Sequence, residues 1–230
     1  MDYYGERFFE TDASLYENAF KWYEEMNPGP RLFYALTIQN HGGYEQLSED
    51  DYRIHTGRDF GENTPLVNEF LTMISISDEA FMDIVEYFSQ SPRDVIVCMV
   101  GDHGPSFIRS VTEKGTTEQE KELRMRSVPY VIWSNHLEIS RELPERISMN
   151  YLVPTVLDLA DIPLSPYYDY MLSMRDQVPV LGAYGVYMDA QGNTFSYGDS
   201  SEEAELVSIY QGLSYANMAG EPFMEKFTSP

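Results

Sequence analysis

The sequence has 230 residues, 43% of them hydrophobic, with 18 Tyr and 12 Phe. That is apolar material for one large folded domain, or a domain with a small extension, and it excludes a disordered chain. Its 38 acidic residues against 15 basic give a net charge of −23, a field that repels nucleic acid and anionic lipid and attracts cations, although most of this acidity reads as surface solvation.

The start, MDYYGERFFE, has neither the basic nor the apolar region of a signal peptide. No stretch approaches the roughly 18 to 20 apolar residues that span a bilayer, so the chain reads as soluble. The first element is a helix over SLYENAFKWYEEM. Ser14 and Glu17 have the spacing of a capping box. Leu15, Ala19, Trp22 and Tyr23 share one face, and Asn27, Pro28, Gly29 and Pro30 end the helix. RLFYALTIQN is short, apolar and β-branched, and reads as a buried strand that runs into His41, Gly42 and Gly43. A polar loop follows over residues 45–63.

The longest helix signal is TPLVNEFLTMISISDEAFMDIVEYFSQSP. Leu66, Phe70, Ile74, Phe81, Ile84, Val85 and Phe88 recur at helical spacing, Pro65 suits the first turn and Pro92 marks the stop. DVIVCMV reads as a second buried strand, with the lone Cys98 as a buried hydrophobe that cannot form an internal disulfide. Residues 112–126 are charged and read as a loop or an exposed helical turn. VPYVIWS is a third strand, and NYLVPTVLDLADIP a helix with Pro154 near its start. This alternation predicts an α/β fold over residues 1–163, layered helix-sheet-helix with a largely parallel sheet. After Pro163 the character changes. Residues 164–230 read as a C-terminal extension packed on the first part. Within it, YYDYMLSMRDQVPV is helix or coil, and GVYMDAQGNTFSY is a hairpin turning at residues 190–193. EEAELVSIYQGLSYANMAG is a terminal helix with Leu206, Ile209, Tyr210 and Leu213 on one face.

The chemistry-bearing stretch is VCMVGDHGP. In open α/β sheets ligands gather at the carboxyl ends of strands, where Asp102 and His103 fall. Neighbours in a strand point to opposite faces, so aiming both at one spot requires a bend that Gly101 and Gly104 permit. A carboxylate beside an imidazole suits a divalent ion such as Mn²⁺ or Zn²⁺. The plainer alternative is that Asp102 caps the next turn and His103 is incidental. His41 shifts the balance toward a site, because it also follows a predicted strand and is flanked by glycine. His55 and His136 have no such setting and read as surface residues.

In this order, FYALTIQNHGGY, a long helix, VIVCMVGDHGP, VPYVIWS and NYLVPTVLDLADIP resemble the lipoteichoic acid synthase family. These are phosphoglycerol transferases of the sulfatase and alkaline phosphatase superfamily. YYDYMLSMRDQVPV and GVYMDAQGNTFSYGD look like the C-terminal end of Gram-positive members. The resemblance implies that a metal-held Thr attacks a phosphatidylglycerol-like lipid donor, keeps glycerol phosphate covalently and passes it to a glycerol-phosphate polymer of the cell envelope. Asp102 and His103 match the metal ligands of the family, with Mn²⁺ as the ion and Mg²⁺ or Zn²⁺ as alternatives. His41 matches the substrate-contacting His.

The nucleophile and an acidic ligand lie far upstream in that family. Here the early hydroxyls are Thr11 and Ser14, and both read as helix caps. The chain is therefore expected to be the C-terminal half of the catalytic domain of a larger enzyme, anchored at the extracellular face of a bacterial cytoplasmic membrane. No catalytic nucleophile is assigned within it. By itself it is expected to be inactive and to hold metal weakly, because two ligands seldom close a site. A sheet cut partway also predicts self-association of the fragment. Two further readings are a fragment of a sulfatase or phosphodiesterase of the same superfamily, and a non-catalytic binding module with this fold.

Overall fold

The computed structural model describes residues 2–111, 117–137, 146–182 and 185–221. They form a mixed α/β structure that falls into two units, residues 1–116 with 124–136, and residues 117–123 with 137–230. The boundary expected after Pro163 follows the change in sequence character and lies inside the second unit.

In the first unit, α1 (Asp12–Glu25) is capped by Thr11, whose hydroxyl accepts the Ser14 amide at 3.3 Å. Ser14 lies inside the first turn and is not the cap. Tyr16 and Ala19 face inward. Phe20 stacks on Tyr87 and Tyr23 sits edge-on to Phe88, both on α2 (Thr64–Ser89). Trp22, expected on the same face, points outward. Pro65 opens α2, and its buried stripe is Val67, Met73, Ile76, Ala80 and Phe81 together with three polar residues, Asn68, Glu69 and Thr72. That stripe is rotated from the expected one, so Ile74 is exposed. The cause is the loop over residues 45–56, whose backbone amides are held by the polar three. Asn68 accepts from Thr56, Thr72 from Arg53 and Ile54, and Glu69 from residues 45–47.

β1 (Ile96–Val100) pairs antiparallel with β2 (Tyr130–Ser134), in register from Ile96 opposite Ser134 to Val100 opposite Tyr130. Asn135 ties the open end of this ladder to the end of α2. Its amide nitrogen donates to the carbonyls of Phe88 and Arg93, and its oxygen accepts from Val95. Between the strands lie α3 (Ile108–Val111) and α4 (Glu118–Met125). The helical turn expected over residues 112–126 is seen from 118 to 125, and residues 112–116 lie outside the described residues.

Three expectations are corrected. Every strand pair among the described residues is antiparallel, so the largely parallel sheet is not seen there. RLFYALTIQN forms no ladder among the described residues; Leu32 is 91% and Tyr34 81% exposed. An apolar, β-branched run encodes a preference for burial between layers, but a strand forms only when a neighbour supplies its hydrogen bonds. Cys98 is exposed on β1 for a related reason, since β2 is the one strand paired with it among the described residues.

In the second unit, a 3-10 turn (Met149–Tyr151) leads into α5 (Leu152–Leu159), with Pro154 in its first turn. α6 (Pro166–Arg175) follows, capped by Ser165. β3 (Val180–Leu181), β4 (Val186–Met188) and β5 (Thr194–Ser196) form an antiparallel sheet in the order 3-4-5. The β4–β5 hairpin is the one expected. Asp189 closes its turn by accepting from the amides of Gln191 and Asn193. α7 (Glu202–Met218) is capped by Ser201. Tyr151, Met171, Met174, Val178, Tyr187 and Val207 make the core of this unit. Among the described residues no helix is long and apolar enough to cross a membrane.

Candidate metal and substrate site

All three predicted site residues lie in the first unit. Asp102 and His103 follow β1 directly. The Gly101 amide donates to the Pro129 carbonyl at 3.1 Å, which carries the ladder one residue past the strand. Gly101 sits where space is tight. A Cβ there would meet the Val128 Cβ at 3.1 Å, tighter than ordinary contact. Neither Gly101 nor Gly104 has a positive φ, so the bend does not depend on left-handed backbone.

The Asp102 carboxylate accepts the His103 amide through Oδ1 at 2.8 Å. His103 Nδ1 lies 2.9 Å from the Gly104 carbonyl oxygen. A carbonyl can only accept, so Nδ1 carries a proton there and Nε2 is the ring nitrogen left to face Asp102. That Nε2 sits 3.7 Å from Asp102 Oδ2, with the side chains 67% and 73% exposed respectively. Two ligands at about 2.1 Å from a tetrahedral ion are separated by about 3.4 Å, so the two free donor atoms are spaced to share one cation. A carboxylate oxygen and a neutral imidazole nitrogen, the latter fixed by a backbone carbonyl, are the donor set that Mn²⁺ or Zn²⁺ takes. Among the described residues no group of three or more His, Cys, Asp or Glu side chains is assembled for a metal. Asp102 and His103 are thus two adjacent candidate donors with no third His, Cys, Asp or Glu grouped with them among the described residues.

His41 is exposed, on the loop after residues 31–40. Its amide donates to Ile38, and its ring meets Phe9 edge to face at 5.4 Å. Its loop and the loop after β1 converge on one residue of α2. Tyr44 and Phe107 each pack edge-on against Phe70, at 5.8 and 5.9 Å, and against each other at 5.5 Å. This aromatic trio joins the segment bearing His41 to the segment bearing Asp102 and His103. His136 bonds Ser134 and His55 packs on Tyr52, and neither joins these loops through the contacts described.

Sequence reasoning missed Arg7 and Glu69. They form a buried ion pair beneath the His41 loop, and Gln39, also buried, bonds the Met73 carbonyl and Ser77 on α2. The available signal was Glu69 itself, a charge inside the inward stripe of an apolar helix.

With fold and site in place, the relationships are plain. The sequence profile of the sulfatase family matches residues 2–162, and the chain belongs to that family. In three dimensions it is similar to the Streptococcus pyogenes phosphoglycerol transferase GacH in complex with sn-glycerol-1-phosphate, with a TM-score of 0.70 and 18% identity. That similarity covers 97% of this chain and 55% of GacH, and it establishes the sulfatase-like α/β fold. A Rhizobium meliloti relative that carries the name of a cyclic beta-1,2-glucan modification protein is 23% identical over an alignment of 188 residues that covers 76% of this chain and 29% of the relative. The chain thus spans about half the length of the solved structure and less than a third of that relative.

Proposed function

We propose that this chain supplies metal and substrate ligands to a metal-dependent phosphoglycerol transferase. The reaction moves glycerol phosphate from a phosphatidylglycerol-like lipid to a glycerol-phosphate polymer, at the outer face of a bacterial cytoplasmic membrane. The observation that carries the reading is the pairing of Asp102 Oδ2 and His103 Nε2, 3.7 Å apart at the end of β1. Membership of the sulfatase family and the likeness to GacH, a phosphoglycerol transferase, support it.

Asp102 and His103 would hold the ion, with Mn²⁺ the best match and Mg²⁺ or Zn²⁺ as alternatives. A bound divalent ion neutralises phosphoryl charge and lowers the pKa of an attacking hydroxyl. Asp102 would contribute a carboxylate oxygen and His103 its Nε2, with Nδ1 turned to the Gly104 carbonyl. His41, on the loop joined to that position through Tyr44, Phe70 and Phe107, would hydrogen-bond the phosphoglycerol group. No attacking hydroxyl is assigned among the described residues. Thr11 serves α1 as its cap.

The family match itself favours a second reading, ester hydrolysis on a sulfate or phosphate substrate by the same site. One assay separates transfer from sulfate hydrolysis. Full-length protein is incubated with Mn²⁺ and either phosphatidylglycerol vesicles or an aryl sulfate. Transfer predicts diacylglycerol release from the vesicles and none from the sulfate. It also predicts that Asp102→Ala and His103→Ala each lower turnover by about 100-fold or more, the scale of removing one preorganised electrostatic group. Sulfate hydrolysis without diacylglycerol release would refute the transferase reading.

A further inference from the structure

We propose that Arg7 and Glu69 are a buried positioning clamp for His41. The proposal rests on the reading of His41 as a phosphoglycerol contact. The two side chains are 1% and 0% exposed and are paired through Arg7 Nη1 and Glu69 Oε1. Arg7 Nη2 donates to the carbonyls of Gln39, at 3.2 Å, and of His41, at 2.8 Å. The second Glu69 oxygen accepts the amides of Glu45, Gln46 and Leu47 at 2.8, 2.9 and 3.1 Å. One ion pair therefore grips the backbone on both sides of the Gly42-Gly43 turn.

The turn needs such a grip. Glu45 has a φ of +79° and Gly43 of +99°. A non-glycine residue holds the left-handed region only when its surroundings over-determine it. Arg7 also lies over the rings of Phe9 and Tyr44, at 5.9 and 5.4 Å. Phe9 is the ring that meets His41, and Tyr44 is the ring that meets Phe107 beyond Asp102 and His103. The clamp thus touches both supports of the site and is too buried to reach a ligand itself.

Stability alone does not account for this arrangement, because a well-packed apolar pair fills such a space equally well. An apolar pair could not bind two carbonyls and three amides at once. Fixing where His41 stands is the service that the charges perform.

The test is a cycle in the full-length protein, with turnover of phosphatidylglycerol vesicles in Mn²⁺ as the readout. The double variant Arg7→Met/Glu69→Leu removes both charges together and leaves no unpaired buried charge, at the cost of the two carbonyls and three amides that the pair held. It is expected to fold, by circular dichroism, and to lose about 10- to 100-fold in kcat, the scale of a small misplacement of a reacting group. Combined with His41→Ala it should be no slower than His41→Ala alone, since groups that act as one unit are not additive. If each change costs its full factor independently, the clamp does not act through His41 and the proposal is overturned. Should the double variant not fold, Arg7→Lys, which keeps the charge and loses the fork, carries the same comparison.

A second readout needs no activity. Hydrogen exchange at the amides of residues 45–47 should speed at least tenfold in the chain bearing the folded variant, and unchanged exchange would overturn the clamp. A His41→Ala enzyme with full turnover would instead overturn the functional reading of His41, an outcome the exchange measurement distinguishes.

Discussion

Asp12 shows how a single buried carboxylate is held. Its amide donates to Gln39 Oε1 at 3.0 Å and its Oδ2 accepts from Ser77 at 2.6 Å, while Ser77 receives Gln39 and Asn40. Burial raises its pKa above the ordinary value of 3.8, and the Ser77 hydrogen bond offsets only part of that rise. The sign follows from linkage. A folded-state pKa above the unfolded one means that the folded chain holds the proton more tightly. The stability this gives is full below the unfolded pKa and is lost as pH rises through the raised value. At neutral pH the charged carboxylate therefore costs stability. Asp12→Asn keeps an oxygen for Ser77 and removes the charge, so its thermal midpoint relative to the wild type should be more favourable at pH 7 than at pH 4. A variant that is hurt more at pH 7 than at pH 4 would show that the charge is instead favourable, through the helix N-terminus that it occupies.

At the level of elements, the sequence is legible where a segment's own composition decides its state. The helices α1, α2, α5 and α7, the strands β1 and β2 and the β4–β5 hairpin carry caps, prolines, periodicity or turn residues that act locally. Asp102 and His103 stand out in the sequence as candidates because two glycines bracket an acid and a base after an apolar run. What pairs with what is not local. RLFYALTIQN has the signature of β1 yet forms no ladder among the described residues. The inward turn of Asn68, Glu69 and Thr72 is equally hidden, since it depends on loop amides more than ten residues away. The exposed segment has a measurable consequence. Leu32, Tyr34 and Leu36 are bared on a segment that forms no ladder among the described residues, apolar surface open to pairing with another chain. Sedimentation of the isolated chain should show association that grows with concentration, weakened by Tyr34→Lys/Leu36→Lys. A wild-type chain that stays monomeric at all concentrations would show that these side chains are covered in solution.

For the whole molecule the decisive question is whether cation binding is focused. A net charge of −23 attracts divalent ions everywhere. Acidic clusters such as Glu49, Asp50 and Asp51, or Glu202, Glu203 and Glu205 at the start of α7, attract them without a built site. The pair at the end of β1 differs, because two donor atoms are held 3.7 Å apart by hydrogen bonds to the backbone. Mn²⁺ is paramagnetic, so titrating it into the ¹⁵N-labelled chain reads out position even when binding is weak. The account predicts that the amides of residues 101–104 lose intensity first, before those of either acidic cluster, and that Asp102→Ala/His103→Ala abolishes this selectivity. Broadening that follows the acidic clusters and spares residues 101–104, or that survives the double substitution unchanged, would contradict it.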